Sequence, residues 1–154
     1  MYRADKDLAF LLQYENVAWY EDGKVRILDR RVYPAKIEFV TCTTHTEVAQ
    51  AITDMVTQSA GPYTAVPMGM ALAAFECRDR SEKEQMEYLR AAAHTISHAR
   101  PTTVKRMSQL TDVCLTVAEQ ALAEGKNVAE AIDLFLVIGI FCKISCLCRI
   151  SLVR

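Results

Sequence analysis

Two helical patterns meet at a glycine–proline break in the stretch Asp54-Met-Val-Thr-Gln-Ser-Ala-Gly-Pro-Tyr-Thr-Ala-Val-Pro-Met-Gly-Met-Ala-Leu-Ala-Ala74. Apolar residues recur at helical spacing before the break, and an alanine-rich run follows it. Gly61 tolerates a positive φ and Pro62 cannot continue a helix, so the first helix is predicted to end here. Proline suits the first turn of a helix, so a second helix is predicted to begin at once.

The second helix is predicted to be buried on several sides. Gly69 and five alanines between positions 60 and 74 permit neighbouring backbones to approach closely. Pro67 removes one main-chain hydrogen bond and is expected to kink this helix or to delay its start.

The break between these helices, Gln58-Ser59-Ala60-Gly61-Pro62, is also a candidate anion-binding site. Backbone N–H groups at the start of a helix attract anions. The alternative is an ordinary corner without a ligand, which the spacing alone favours. Arg100, at a later helix junction, is a second candidate because a guanidinium can bind phosphate through two N–H groups. Its alternative is a surface arginine stabilised by a helix C-terminus.

Residues 1–42 carry a β pattern. Asp22-Gly23 lies between two apolar runs and predicts a hairpin. A third strand is predicted from Ile37 to Cys42. The charged residues 29–31 between these strands are expected to form a solvated bend.

Residues 43–133 are predicted to be helical. Thr44 with Glu47 and Ser81 with Glu84 have the spacing of capping boxes, in which each side chain satisfies a backbone N–H group of the other residue. The sequence therefore predicts an α+β fold, with a small antiparallel sheet followed by a helical bundle. His94 and His98 share a helix face, but no third ligand accompanies them, so we interpret them as ordinary helix residues rather than a metal site.

Composition excludes several classes of protein. The 154 residues are 51% apolar and 24% charged, with a net charge of -1. These values are typical of a soluble globular protein and argue against a broad basic surface for nucleic acid or anionic lipid. Six cysteines without a paired framework favour a cytoplasmic protein with reduced thiols.

Residues 134–154 differ from the rest of the chain. An unbroken run of nine apolar residues ends at Cys142, and no acidic residue follows Asp133. Lys143 and Arg149 interrupt any window long enough to span a membrane, so no membrane contact is expected. We interpret this tail as a truncated or frame-altered end.

The order of motifs resembles the N-terminal region of methylthioribose-1-phosphate isomerases. The hairpin containing Trp19 precedes Asp54-Met55-Val56, then Gly69-Met-Ala-Leu-Ala-Ala74, then Arg100-Pro101-Thr102. That family shares its fold with ribose-1,5-bisphosphate isomerase and with the regulatory subunits of eukaryotic translation initiation factor 2B. The resemblance covers about Val17 to about Asp133.

The resemblance implies binding of a sugar 1-phosphate that is converted from aldose to ketose, as in methionine salvage. It assigns phosphate binding to Gln58, Ser59 and Ala60 together with Arg100. It implies neither a cofactor nor a metal. The family's catalytic groups lie in a C-terminal Rossmann-like domain that is absent from this chain, and a homodimer would form through that domain. The chain is therefore expected to be inactive alone, with no catalytic residue of its own.

One departure from the family changes the charge of the site. The family's phosphate-binding Arg-Gly-Ala is Gln58-Ser59-Ala60 here, so a neutral amide replaces a fixed cation. Three hypotheses follow. The chain is the N-terminal lobe of an isomerase, or a non-catalytic binding module of the initiation factor 2B type, or a helical adaptor unrelated to both, which the order of motifs disfavours.

Overall fold

A computed structural model of the protein describes residues 8–141. Three strands form an antiparallel sheet in the order β1-β2-β3, with β1 at Ala18–Glu21, β2 at Lys24–Leu28 and β3 at Phe39–Cys42. Asp22 and Gly23 connect β1 to β2 with φ angles of 47° and 72°, as a tight two-residue hairpin requires. The predicted hairpin and third strand are confirmed.

Part of the segment predicted as β is not a strand. Two short 3-10 turns, Phe10–Leu12 and Tyr14–Asn16, precede β1, and β3 starts at Phe39 rather than Ile37. Ile37 is 58% exposed, so it has no core contact that would extend the strand. The pattern of apolar residues located the sheet but overestimated its extent.

Five helices follow the sheet, separated by short connections. They are α1 at His45–Thr53, α2 at Gly61–Glu76, α3 at Glu82–Ser97, α4 at Val104–Ala123 and α5 at Val128–Phe141, with a 3-10 turn at Pro101–Thr103 before α4. The two predicted capping boxes form at the starts of α1 and α3. Thr44 accepts from the Glu47 amide while Glu47 accepts from the Thr44 amide, and Glu84 accepts from the Ser81 amide.

Helix α2 lies at the centre of the molecule. It contacts α1, α3, α4, α5 and the first two strands, as its small residues predict. A Cβ atom added to Gly69 would lie 3.0 Å from both Val48 of α1 and Ile96 of α3, so glycine permits this close approach. The expected delay at Pro67 is wrong, because α2 begins at Gly61 and continues through this proline.

The hydrophobic core lies between the sheet, α2 and the surrounding helices. Val25 and Ile27 of β2 are fully buried, as are Leu72 of α2 and Leu89 of α3. Helix α5 crosses the predicted boundary between residues 133 and 134, and residues 142–154 of the predicted tail lie outside the described part. Within residues 8–141, no helix is both long enough and apolar enough to cross a membrane.

Candidate functional site

The turn between α1 and α2, residues 54–60, carries two left-handed residues that are not glycine. Met55 has a φ of 61° and Ser59 a φ of 56°. The Met55 amide donates to Ile52 O and the Val56 amide donates to Ala51 O, at 3.3 and 3.0 Å, which closes α1 with a Schellman motif. Such conformations cost roughly 1–3 kcal/mol each and persist where the surrounding structure holds them. We call this segment the α1–α2 turn.

Several backbone amides of this turn have no partner within residues 8–141. The Gly61 amide donates to Gln58 O at 2.9 Å, Tyr63 donates to Ala60 O at 3.1 Å, and Pro62 has no N–H group. The amides of Thr57, Gln58, Ser59 and Ala60 have no acceptor within residues 8–141, and of these four residues only Ser59 and Ala60 are exposed. Left-handed Ser59 followed by right-handed Ala60 gives the alternation that points successive N–H groups at one anion. The exposed amides of Ser59 and Ala60 are therefore the candidates for the anion site that the sequence predicts.

Gln58 and Arg100 both lie at this turn. The Gln58 side chain folds back so that its Nε2 donates to Met55 O at 3.2 Å. Arg100 donates from Nη2 to Ile52 O at 3.2 Å and to Thr57 O at 3.3 Å. Arg100 thus braces the turn through main-chain acceptors, which the sequence did not indicate.

A small pocket opens beside the turn. It is lined by Leu11, Val17, Leu28, Arg30, Thr57, Gln58 and Gly61. Arg30 is attached to the turn because its amide donates to Val56 O at 2.8 Å. The pocket therefore combines apolar side chains from the sheet region with one arginine and one amide side chain.

The expectation of a solvated bend at residues 29–31 is wrong for Asp29, although the side chain of Arg31 is 47% exposed. Asp29 is only 7% exposed, and its carboxylate accepts from Nε and Nη2 of Arg31 at 2.9 and 2.7 Å. The hydrogen bond from Arg31 outweighs burial and lowers the pKa of Asp29 below its ordinary value. Charge alone suggested solvent, but the position of these residues directly after buried β2 was the signal for a packed segment.

A second polar cluster was not found from the sequence. His45, the first residue of α1, is 8% exposed, and its Nδ1 donates to Glu76, the last residue of α2, at 2.7 Å. The Tyr88 hydroxyl lies 3.4 Å from the same nitrogen. Burial and the Glu76 charge raise the pKa of Tyr88. His45 and Glu76 are far apart in the chain, so only the fold brings them together.

The cysteines of the described region are not placed for catalysis. Cys42, Cys77 and Cys114 are buried free thiols. Burial raises the pKa of Cys42 to about 11 and that of Cys114 to about 12. A thiol must lose its proton to act as a nucleophile, so none of the three is activated. His94 and His98 stack with ring centroids 4.0 Å apart.

Thiol labelling tests this assignment. We expect iodoacetamide at pH 8 to modify Cys114 of the folded chain roughly 1,000-fold more slowly than in urea, because the raised pKa leaves little thiolate. Since the thiolate fraction falls below the pKa, lower pH should slow labelling further. Peptide mass spectrometry resolves Cys114 from the other five cysteines, and equal rates with and without urea would contradict its burial.

No family model matches the sequence. The chain is 29% identical over 123 residues to a methylthioribose-1-phosphate isomerase from Pelotomaculum thermopropionicum, a match covering 79% of this chain and 33% of that protein. Among solved structures, the delta subunit of translation initiation factor eIF-2B from A. fulgidus has a TM-score of 0.66 at 27% identity, covering 79% of this chain and 36% of that chain. This chain is similar to the N-terminal regions of a methylthioribose-1-phosphate isomerase and of an initiation factor 2B delta subunit.

The fold of that family agrees with the predicted one. 5-Methylthioribose 1-phosphate isomerase from Pyrococcus horikoshii superimposes with a TM-score of 0.66 at 20% identity, again over 79% of this chain and 33% of that chain. The resemblance predicted from the motifs and the α+β fold are both confirmed. The chain spans about a third of the length of these relatives.

Proposed function

We propose that this chain is the phosphate-binding lobe of an aldose–ketose isomerase that acts on a sugar 1-phosphate of the methylthioribose 1-phosphate type. The observation that supports the proposal best is the pair of available amides at Ser59 and Ala60, held in a strained turn. Two amides aimed at one point bind the oxygens of a phosphate group. The choice of sugar phosphate as the ligand follows from the similarity to a methylthioribose-1-phosphate isomerase.

Arg100 has a supporting role in this proposal. Its Nη2 holds the carbonyl groups of Ile52 and Thr57 in place, which keeps the turn in its binding conformation. The same guanidinium carries a fixed positive charge within reach of the turn, so it also favours an anion there electrostatically. Phosphate bound only by the two amides and the nearby arginines should be held weakly, with a Kd near ~1 mM.

A pair of opposite substitutions at Gln58 tests the phosphate site. We expect Gln58→Arg to tighten binding of inorganic phosphate by about 3–10-fold, because it adds a charge-assisted contact at a half-exposed position. Gln58→Glu should weaken binding by a similar factor. The measurement is an NMR titration that follows the Ser59 and Ala60 amide signals, with sodium chloride at equal ionic strength as the blank.

Arg78→Ala is the control for this titration. Arg78 stacks on Phe75 with its guanidinium 3.9 Å from the ring centroid and does not line the pocket. Its removal changes the net charge without touching the α1–α2 turn, so binding should stay within about 2-fold. A Kd for phosphate that is the same in wild type and in both Gln58 variants would count against a site at this turn. So would a Kd that changes as much in Arg78→Ala as in the Gln58 variants.

The lobe is proposed to bind without catalysing. Proton transfer between the sugar carbons needs an acid and a base near the substrate, and the cysteines of residues 8–141 are buried and protonated. We expect no turnover of methylthioribose 1-phosphate above the buffer rate by this chain alone. Turnover that disappears on substitution of a residue within the chain would overturn this part.

The second candidate function is a non-catalytic binding module of the initiation factor 2B type. The similarity to the delta subunit favours it, since this match covers as much of the chain as the isomerase matches do. The phosphate titration separates the two functions. A chain that binds methylthioribose 1-phosphate more tightly than inorganic phosphate fits the isomerase lobe, and a chain that binds neither fits the module.

A further inference from the structure

Arg30, which lines the pocket beside the α1–α2 turn, has a side-chain donor without an acceptor. Its Nε is buried and has no hydrogen-bond acceptor within residues 8–141. No carboxylate of this region lies within ion-pair distance of Arg30, because the neighbouring Asp29 is bound to Arg31. The guanidinium carbon of Arg30 lies over the Tyr33 ring, 5.6 Å from its centroid.

A buried arginine donor without an acceptor is costly. The guanidinium stays charged at every pH at which the protein folds, so the group cannot become neutral to reduce the cost. Buried polar atoms nearly always have a partner, and an exception in a folded protein calls for a ligand, ion or water. Arg30 also lines the pocket beside the turn, so a partner can come from outside the chain.

The two arginines of the turn are placed differently. Arg30 donates its amide to Val56 O and Arg100 donates Nη2 to the next carbonyl, Thr57 O, so the two residues attach to adjacent positions. The Arg100 donor is occupied by main-chain oxygens, whereas Nε of Arg30 is not. Gln58, which lines the same pocket, is neutral. Arg30 is therefore the one cation among the pocket-lining residues.

We propose that Arg30 supplies the positive charge of this site and binds the phosphate group of the sugar phosphate from the pocket side of the turn. The proposal rests on the proposed function, since it names a further residue of the same site. Nε donates to one phosphate oxygen while the Ser59 and Ala60 amides bind others. Because the pocket walls are partly apolar, the ion pair is less screened than it would be at the surface.

Direct observation of the Arg30 side chain tests this proposal. Titration of the wild-type chain with inorganic phosphate should shift the Nε–H NMR signal of Arg30 downfield with the same Kd as the Ser59 and Ala60 amides. This measurement needs no variant and so does not depend on whether a variant folds. An Nε–H signal that stays in place while the amides titrate would overturn the role of Arg30 and leave the site at the turn intact.

Two matched substitutions give a second readout. Arg30→Met keeps the length of the side chain without its charge and should weaken phosphate binding at least 10-fold. Arg26→Met is the control, because Arg26 lies on the preceding strand, stacks on Phe39 at 4.6 Å and does not line the pocket. It should bind within 2-fold of wild type. Equal phosphate binding by wild type and Arg30→Met would overturn the role of Arg30 and leave the proposed function standing. Absence of phosphate binding by wild type would overturn both the role of Arg30 and the proposed function.

Discussion

Replacing Gly61 by alanine is expected to destabilise the protein by about 2–3 kcal/mol. A Cβ atom at this position would lie 2.1 Å from Oγ1 of Thr57, far inside contact distance. Thr57 is 1% exposed, so its hydroxyl cannot rotate away into solvent. Urea unfolding followed by circular dichroism measures the change, which should appear in the midpoint rather than in the slope.

The Thr57→Ala background tests the cause. Removal of Oγ1 leaves Thr57 Cβ as the nearest atom of that residue, at 3.4 Å, which a new methyl group can tolerate. Gly61→Ala should therefore cost less than about 1 kcal/mol in this background, and the two effects should not add. A full cost in both backgrounds would show that the overlap with Thr57 is not the reason for glycine here.

Gly125→Ala is a control with a different physical origin. Gly125 has a φ of 65°, but a Cβ atom there would meet nothing within 4 Å. Its substitution should cost about 1 kcal/mol through backbone conformation alone. Only Gly61→Ala should also alter the Ser59 and Ala60 amide signals, because only Gly61 adjoins the α1–α2 turn.

Replacing His45 by alanine is expected to cost about 2–4 kcal/mol of stability. The substitution removes the 2.7 Å hydrogen bond to Glu76 and leaves that carboxylate, 15% exposed, without its imidazole partner. It also opens a space beside the Tyr88 ring, which packs edge-on against His45 at 5.3 Å. Thermal and urea unfolding at neutral pH measure the loss.

A double-mutant cycle separates the pair from the packing. Glu76→Ala combined with His45→Ala should cost at least about 1.5 kcal/mol less than the sum of the single changes. Lys83→Ala is the surface comparison, since Lys83 and Glu87 are 4.0 Å apart and largely exposed, and it should change stability by less than about 0.5 kcal/mol. Additive single effects would mean that the hydrogen bond contributes little.

The sequence indicated where the candidate site lies but not which amides and side chains in it can bind a ligand. The break before Gly61 and the helix junction at Arg100 were predicted because both features are local, and the family resemblance assigned Gln58, Ser59 and Ala60 to the break. The amides that remain available could not be predicted, since this depends on which N–H groups the turn itself uses. Arg30 was missed because a charged residue after a strand is usually solvated, and only the packing of β2 against the turn buries its Nε.

Local chemistry along the chain determined the elements of this fold. Asp22-Gly23 alone specifies the hairpin, the Thr44–Glu47 box starts α1, and small residues make α2 a central helix. Each of these effects acts within a few residues, so it can be predicted from the sequence. The tertiary structure decided which distant groups meet, such as His45 with Glu76 and Arg30 with Val56. Those pairings follow from how the whole apolar surface is buried, which no single segment encodes.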